Sequence, residues 1–493
     1  MALSFFALYA ILFFCFQTYN DIYMKKTKIV ATIGPATESK EKLEELLKDG
    51  MNVMRINFSH GDFAEHARKV INLRSVMRKT GLRAAILQDL SGPKIRIGDF
   101  KTDSIELIPG KTFILTTDII KGDEKRVSIH YKNLQKEVKK GHIIYLYDGK
   151  RKLKVVKVRG NDVLCRVIVG GNIRGRRGVN LPDSELSIGS LTKKDIRDLE
   201  FGLKYDVDFI ALSFVRRPED IDELRAILKK RKSSALIIAK IETPQAIRNL
   251  DEIINKADGI MVARGDLAIE VPAEQVPLIQ KMIIEKCNNL GKPVITATQM
   301  LESMIKNPIP TRAEVSDVAN AILDGTDAIM LSEETALGDY PVEAVKMMSK
   351  IAQEIERNYP ERVIVHSRDN GTSDITDSIT GSVVKAAHDV GAKAIVALTE
   401  SGFTARMIAR YKPEPVILAL SPSEKTCKQI HLSFGCLPAH IKRYKTVNEA
   451  VALVRQRCLT EKIALKGDRV VIACGVPSAK KGVATNMILV ETI

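Results

Sequence analysis

LIIAKIE (236–242), GIMVARGD (259–266), PVITATQM (293–300) and AIMLSEE (328–334) decide the fold, because each is an apolar run that breaks off in polar groups. Runs rich in Ile, Val and Ala without strict alternation mark strands covered on both faces, and such strands belong to parallel sheets joined by helices. Lys240, Glu242, Arg264, Asp266, Thr298, Ser332 and Glu334 stand where these strands stop. In this architecture ligands gather at the carboxyl ends of the strands. One charged residue after a strand is ordinarily the solvated start of a loop. Complementary acids, cations and hydroxyls at several strand ends together describe a site for phosphoryl transfer.

The same rhythm extends outward. KIVATIGP (28–35), NVMRINFS (52–59), AAILQDLSGP (84–93) and DFIALSFV (208–215) are further buried-strand signals, and the total is the count that closes a (β/α)8 TIM barrel. From about 97 to 180 the pattern changes to alternation (SIELI, KTFILTT, HIIYLY, KLKVVKV, VLCRVIV) between Gly and Asp turns. That predicts a small antiparallel β-barrel domain inserted after the third strand, overhanging the carboxyl face as a lid. After Gly371 come a helix near SVVKAAHDV and strands at 394–399, 416–421, 436–441, 469–474 and 487–492, a second α/β unit. The expected division is therefore an apolar extension at 1–23, a barrel at 24–96 and 181–360, a lid at 97–180 and a C-terminal α/β domain at 371–493. In the last of these, Thr399, Ser401, Gly402 and Thr404 lie between a strand and a helix, where hydroxyls and a glycine can cradle a phosphate. The same residues also serve as ordinary caps and turns.

Of the 493 residues, 45% are hydrophobic and 28% charged, which is soluble-globular composition. The 76 Lys and Arg against 60 Asp and Glu give a formal +16, suited to anionic ligands. Its basic clusters, 174–177 and 229–232, are short and free of interleaved aromatics, so no nucleic-acid partner is expected. Seven scattered cysteines show neither zinc spacing nor a disulfide framework, which points to a reducing cytoplasm. Residues 1–23 carry the uncharged run ALSFFALYAILFFCF but neither a basic leader nor the roughly 20 apolar residues of a membrane span. We read translation as starting at Met24 and expect no membrane association through this segment.

The motifs KIVATIGP, MNVMRINFSHG, GPKIR, RGVNLP, AKIE, IMVARGDL, the long VITATQMLESMIKNPIPTRAEVSDVANAILDGTDAIMLS and ETALGDYP, in this order, make the chain similar to the pyruvate kinase family from about Lys25 to the C-terminus. The resemblance implies transfer of a phosphoryl group from phosphoenolpyruvate to ADP, giving pyruvate and ATP in the last step of glycolysis. It also implies a barrel, a lid and a C-terminal regulatory domain in a cytoplasmic homotetramer. By the same resemblance Glu242 and Asp266 would hold Mg2+ or Mn2+, and Lys240 would stabilise the phosphoryl in flight. Arg55 would bind phosphate. Thr298 with the backbone of Arg264, Gly265 and Asp266 would take the substrate carboxylate, and Thr298 or Ser332 would help deliver a proton. His60, Arg96, Arg177 and Asn57 would contact the nucleotide. Lys480 and Lys481, with the 399–404 cradle, would form an effector site for a sugar phosphate or nucleotide.

Departures from the family pattern are informative. The monovalent-cation site retains Asn57, Ser59 and Asp89 but has Leu90 where a threonine is usual, and Lys94 replaces a glutamate. Leu90 offers no side-chain oxygen, whereas Lys94 brings a tethered ammonium, so K+ is expected to be unnecessary. Tyr147 replaces the first of two acids in the lid, Ala268 replaces a glycine, and Glu333 adds a carboxylate beside Ser332. Two rival readings are a metal-dependent lyase of α-keto acids on the same barrel and a non-catalytic basic binding protein. The first has no use for Lys240 together with a nucleotide lid; the second rests on charge alone.

Overall fold

The computed structural model describes residues 25–358, 375–475 and 485–493. The apolar segment 1–23 lies outside them, as do Lys480 and Lys481. Eight parallel strands close into a barrel in sequential order: β1 (Lys28–Thr32), β2 (Val53–Asn57), β3 (Ala85–Asp89), β4 (Phe209–Leu212), β5 (Leu236–Ile241), β6 (Gly259–Ala263), β7 (Val294–Ala297) and β8 (Ala328–Leu331). Closure is made by β8 against β1, with Lys28 opposite Ala328 and Ala31 opposite Leu331.

Side-chain alternation explains the position of the site. Val30, Val53, Leu87, Ala211, Ile238, Met261, Ile295 and Met330 fill the barrel interior, while Ile29, Met54, Ile86, Ile210, Ile237, Ala239 and Ile260 face the surrounding helices. Residues two apart on a strand share a face. Thr32, Arg55, Asp89, Ser213 and Lys240 each follow an interior apolar residue by two, so the pleat that packs the core also aims these polar groups at the carboxyl mouth.

The intervening helices carry their own start and stop signals. Asp62 caps Phe63–Thr80 by accepting from the Glu65 amide at 2.9 Å, and Gly81 closes that helix in the left-handed conformation at φ 75°. Thr192 and Thr311 form reciprocal capping boxes with Asp195 and Glu314.

The inserted lid contains a six-stranded sheet and a two-stranded one. Its pairing is mostly antiparallel, but Thr112–Thr116 and Arg126–Ser128 run parallel. Short strands at Arg126–Ser128, Gly171–Arg174 and Val179–Asn180 add to the longer alternating runs. In the C-terminal unit the parallel strands Cys436–His440, Val416–Ser421, Ala394–Leu398 and Arg469–Cys474 are joined at one edge by the antiparallel Met487–Thr492. This domain seals the amino end of the barrel. Leu432 joins the barrel-interior cluster, and Lys412 pairs with Asp327 at 2.9 Å in full burial.

Candidate active site

At the mouth, the side chains delivered by β1 to β5 form one connected charge cluster. Asp89 Oδ2 accepts from Arg55 Nε at 2.7 Å, and Asp89 Oδ1 lies 3.3 Å from Lys240 Nζ. Lys240 Nζ also meets Glu242 Oε1 at 2.9 Å and donates to Ser213 Oγ at 2.7 Å. Ser213 Oγ in turn donates a hydrogen bond to the carbonyl of Leu90 at 2.7 Å. Arg55 Nη1 donates to Thr32 Oγ1 at 2.8 Å, so the guanidinium is fixed from both sides. These groups are almost wholly buried, and a buried charge persists only when paired.

The electrostatics follow from that burial. Desolvation opposes the Lys240 charge, but Asp89 and Glu242 outweigh it and hold the ammonium above its ordinary pKa. Desolvation likewise raises the Asp89 carboxyl, yet Lys240 and Arg55 prevail and hold it below the usual carboxylate value. Glu242 goes the other way. Burial pushes its carboxyl up, Lys240 opposes, and the nearby charge of Asp266 adds to the rise. Glu242 Oε2 accepts from the Phe214 amide at 2.7 Å, whereas Oε1 faces the Lys240 ammonium at 2.9 Å.

The end of β6 runs directly into the helix Arg264–Glu270, which places Asp266 in its first turn. The Gly265 amide donates to Thr298 Oγ1 at 2.7 Å, and that hydroxyl donates to the Ala297 carbonyl at 2.6 Å. Thr298 has φ 71° and Gln299 φ 55°. A β-branched residue in the left-handed region is strained, and such strain concentrates at functional sites. The Arg264 guanidinium holds Thr298 in this pose through its carbonyl at 2.8 Å and is anchored by Asp317 at 2.7 Å. The Arg264 side chain is thus taken up in bracing Thr298.

Ser332 follows β8, and its amide donates to Glu334 Oε2 at 2.6 Å, while Glu334 Oε1 accepts from the Leu301 amide at 3.3 Å. Glu334 thus ties the loops after β7 and β8 together. Glu333 is exposed, as is Ala268.

Asn57 and Ser59 end β2, where Asn57 Oδ1 accepts from the Ser59 amide at 3.0 Å. Leu90 is buried. The Lys94 ammonium lies on the lid side of this region, 3.8 Å from Asp148 Oδ1. Arg96 pairs with Gly178 and donates to the Arg176 carbonyl at 2.9 Å, and His60 is exposed beside β2. At the lid tip Tyr147, Asp148 and Gly149 are all left-handed, with φ 55°, 53° and 81°. The Arg177 guanidinium stacks over the Tyr147 ring at 4.6 Å and the Lys150 ammonium sits 4.7 Å from it. Tyr147 therefore gathers cations through its ring face where an acid would have done so by charge.

Far from the mouth, Gly402 has φ 79°, and a Cβ there would lie 2.8 Å from Arg406 Nη1. Thr404 Oγ1 is buried against Thr485 Oγ1 at 2.7 Å; Thr399 is buried and Ser401 exposed. Sequence reasoning passed over Thr32, Ser213 and the Phe214 amide. The available signal for the first two was their place two residues beyond the interior Val30 and Ala211.

No described group of three His, Cys, Asp or Glu side chains could hold a metal alone. Glu242 and Asp266 nevertheless fit a hard divalent cation that completes its shell with substrate oxygens and water. Glu242 Oε1 already faces the Lys240 ammonium at 2.9 Å, and the charge of Asp266 adds to the rise of the Glu242 carboxyl, a repulsion that a divalent cation shared by the two carboxylates would relieve.

Residues 24–345 match the family model for the pyruvate kinase barrel domain, and residues 377–491 match that for the pyruvate kinase alpha/beta domain. A pyruvate kinase of Clostridium acetobutylicum is 44% identical over 474 residues, covering 95% of this chain and all of the relative. One from Thermococcus litoralis is 47% identical over 437 residues, covering 87% and 92%. The crystal structure of a pyruvate kinase from Cryptosporidium parvum superposes with a TM-score of 0.91 at 36% identity, covering 96% of this chain and 97% of that one.

Proposed function

This chain belongs to the pyruvate kinase family, and from that premise we propose how its residues carry out the transfer of a phosphoryl group from phosphoenolpyruvate to ADP. The observation that carries the reading is Lys240, held by Asp89, Glu242 and Ser213 at the barrel mouth with its charge reinforced. Both reactants are multiply anionic, so the transferring group needs fixed cations around it. Lys240 and Arg55 supply two that cost no reorganisation, because Asp89 already orients both.

A divalent cation on Glu242 and Asp266, Mg2+ or Mn2+, would add Lewis-acid charge at the same place. The carboxylate of phosphoenolpyruvate is assigned to the start of the Arg264–Glu270 helix, where Gly265 permits close approach and Thr298 can exchange its Gly265 bond for one to substrate. After transfer the enolate takes a proton from the side of Thr298 and Ser332, through water. The nucleotide lies beneath the lid against Arg96, Arg177, His60 and Asn57. Lys94 supplies the ammonium that makes K+ unnecessary, since Leu90 brings no oxygen ligand and Asp89 is already engaged by Arg55 and Lys240.

Three broader assignments accompany this reading. The cradle of Thr399, Ser401, Gly402 and Thr404 receives a sugar phosphate or nucleotide. The chain forms a homotetramer. It works in the cytoplasm, consistent with six described cysteines that are all free and buried, and with the absence of any described helix long and apolar enough to cross a membrane.

The test is pyruvate formation from phosphoenolpyruvate and ADP with Mg2+, using protein that begins at Met24, in KCl and in a tetraalkylammonium salt at equal ionic strength. Equal turnover in both supports the Lys94 assignment. A several-fold rise with K+ removes it and leaves the kinase reading intact. Pyruvate release that ignores ADP would favour the lyase.

A further inference from the structure

The helix Arg264–Glu270 does two jobs at its two ends. Asp266 occupies its first turn, and Glu270 closes its last, four residues on and so on the same face. Glu270 Oε1 accepts from Asn180 Nδ2 at 2.8 Å. Asn180 belongs to the lid: the strand Val179–Asn180 pairs antiparallel with Ile143–Leu146, Asn180 opposite Tyr145. The same helix meets the lid a second time, since a Cβ on Gly149 would lie 3.5 Å from Ile269. A second route connects this point with the mouth. The Phe214 amide donates to Glu242, the Phe214 carbonyl accepts from Arg216 Nη1 at 3.1 Å, and Arg216 is the cation whose charge acts on Glu270. The charged groups that bear on Glu270 are thus Arg216 and Asp266, with the Leu181 amide adding a bond from the lid side.

We infer that the Asn180–Glu270 bond is the catch that registers the lid over the helix bearing Asp266, making both residues positioning residues for the nucleotide. Neither needs to touch a reacting atom. The bond fixes where the Tyr147–Arg177 tip stands relative to the mouth, so its loss misplaces the ADP contacts while the phosphoenolpyruvate contacts, all on the barrel, stay in place. The inference rests on the proposed placement of ADP beneath the lid, and Arg177→Ala tests that placement separately.

The experiment is steady-state kinetics of Asn180→Ala, Glu270→Ala, the double variant and Glu270→Gln, varying ADP and phosphoenolpyruvate in turn. Each alanine variant should raise the KM for ADP about tenfold, equivalent to about 1.4 kcal/mol, with the KM for phosphoenolpyruvate within about twofold of wild type, the loss expected of one charge-assisted hydrogen bond. The double variant should be no worse than either single one, because both remove the same bond. Glu270→Gln keeps an acceptor oxygen and should recover most of the ADP affinity. Strict additivity, equal rises in both KM values, or a Gln variant as impaired as Ala would each overturn the catch. If Arg177→Ala raises the KM for ADP while the Asn180 and Glu270 variants do not, only the catch fails. If none of them moves it, the placement of the nucleotide fails as well.

Discussion

At the barrel mouth, Lys240 and Arg55 are held by the buried carboxylates of Asp89 and Glu242. At the lid tip, Arg177 and Lys150 rest against the ring of Tyr147 on three consecutive left-handed residues. The first arrangement is rigid because strands of a closed barrel carry it, and any displacement would bury an unpaired charge. The second is partly exposed and non-directional, and a ring face tolerates movement of the cation across it. In the proposed reading, chemistry that must not reorganise is placed on the strands, and nucleotide recognition is placed on the lid loop.

The sharpest way to break this contrast is at Lys240. Lys240→Met should lower kcat by about a thousandfold or more, the scale seen when a preorganised charge-stabilising donor is lost, while the KM for phosphoenolpyruvate changes far less. A KM effect without a kcat effect would mean that Lys240 binds the ground state only. Next comes Asp89→Asn, which leaves two buried cations without their shared partner and should destabilise the fold by about 3 kcal/mol, read by chemical denaturation. The pH dependence has a definite sign. Because the folded Asp89 carboxyl lies below its ordinary value, its contribution is present above the unfolded pKa and is lost as pH falls through the folded one. In the Asn variant that acid-side loss should be smaller.

Glu270 gives the opposite sign and joins the two regions. Burial raises its carboxyl to about 7, against an ordinary value of 4.5. Between those values the folded chain keeps a proton that the unfolded chain has released, so this group's contribution falls as pH rises, and above the upper value the penalty is complete. Glu270→Gln removes the penalty and should gain on wild type by about 2 kcal/mol between about pH 5 and pH 8, after allowance for solvent screening. A difference that does not change with pH would show that the carboxyl is not raised by burial.

Tyr147→Ala sharpens the lid side. Loss of the ring should cost about 1 kcal/mol of cation placement, seen as a roughly fivefold rise in the KM for ADP with kcat nearly preserved. A large fall in kcat would make the lid tip as stiff as the mouth and erase the distinction.

The barrel could be read from the sequence because its strands are buried on both faces, which leaves long Ile- and Val-rich runs such as those ending at Lys240 and Asp266. Those runs carry the pattern of the fold and the address of the site together. Thr32 and Ser213 were harder to see, since hydroxyls are common after strands and only the closed barrel shows them bonded to Arg55 and Lys240. The short lid strands Arg126–Ser128 and Val179–Asn180 span too few residues for alternation to register. Replacement of an acid by Tyr147 reads as a loss of charge in sequence; the stacking of Arg177 on its ring depends on backbone conformation at positions that propensity does not reveal. Asn180 and Glu270 are far apart in the chain, and nothing local marks either as a partner.

The smallest effect is expected farthest from both regions. Thr404 Oγ1 and Thr485 Oγ1 share one buried hydrogen bond between the helix Phe403–Ala409 and the segment leading into the strand Met487–Thr492. Thr404→Val conserves shape and removes one hydroxyl, so it should cost about 1 kcal/mol of stability at most. In the effector reading it should also abolish activation by sugar phosphates, because the lost hydroxyl is the one at the start of the helix that closes the 399–404 cradle. Activation that survives the change, with only the stability loss observed, would make the Thr404–Thr485 pair a structural bond within the C-terminal domain. The effector would then have to be held by other groups, and the hydroxyls of this segment would be serving as caps.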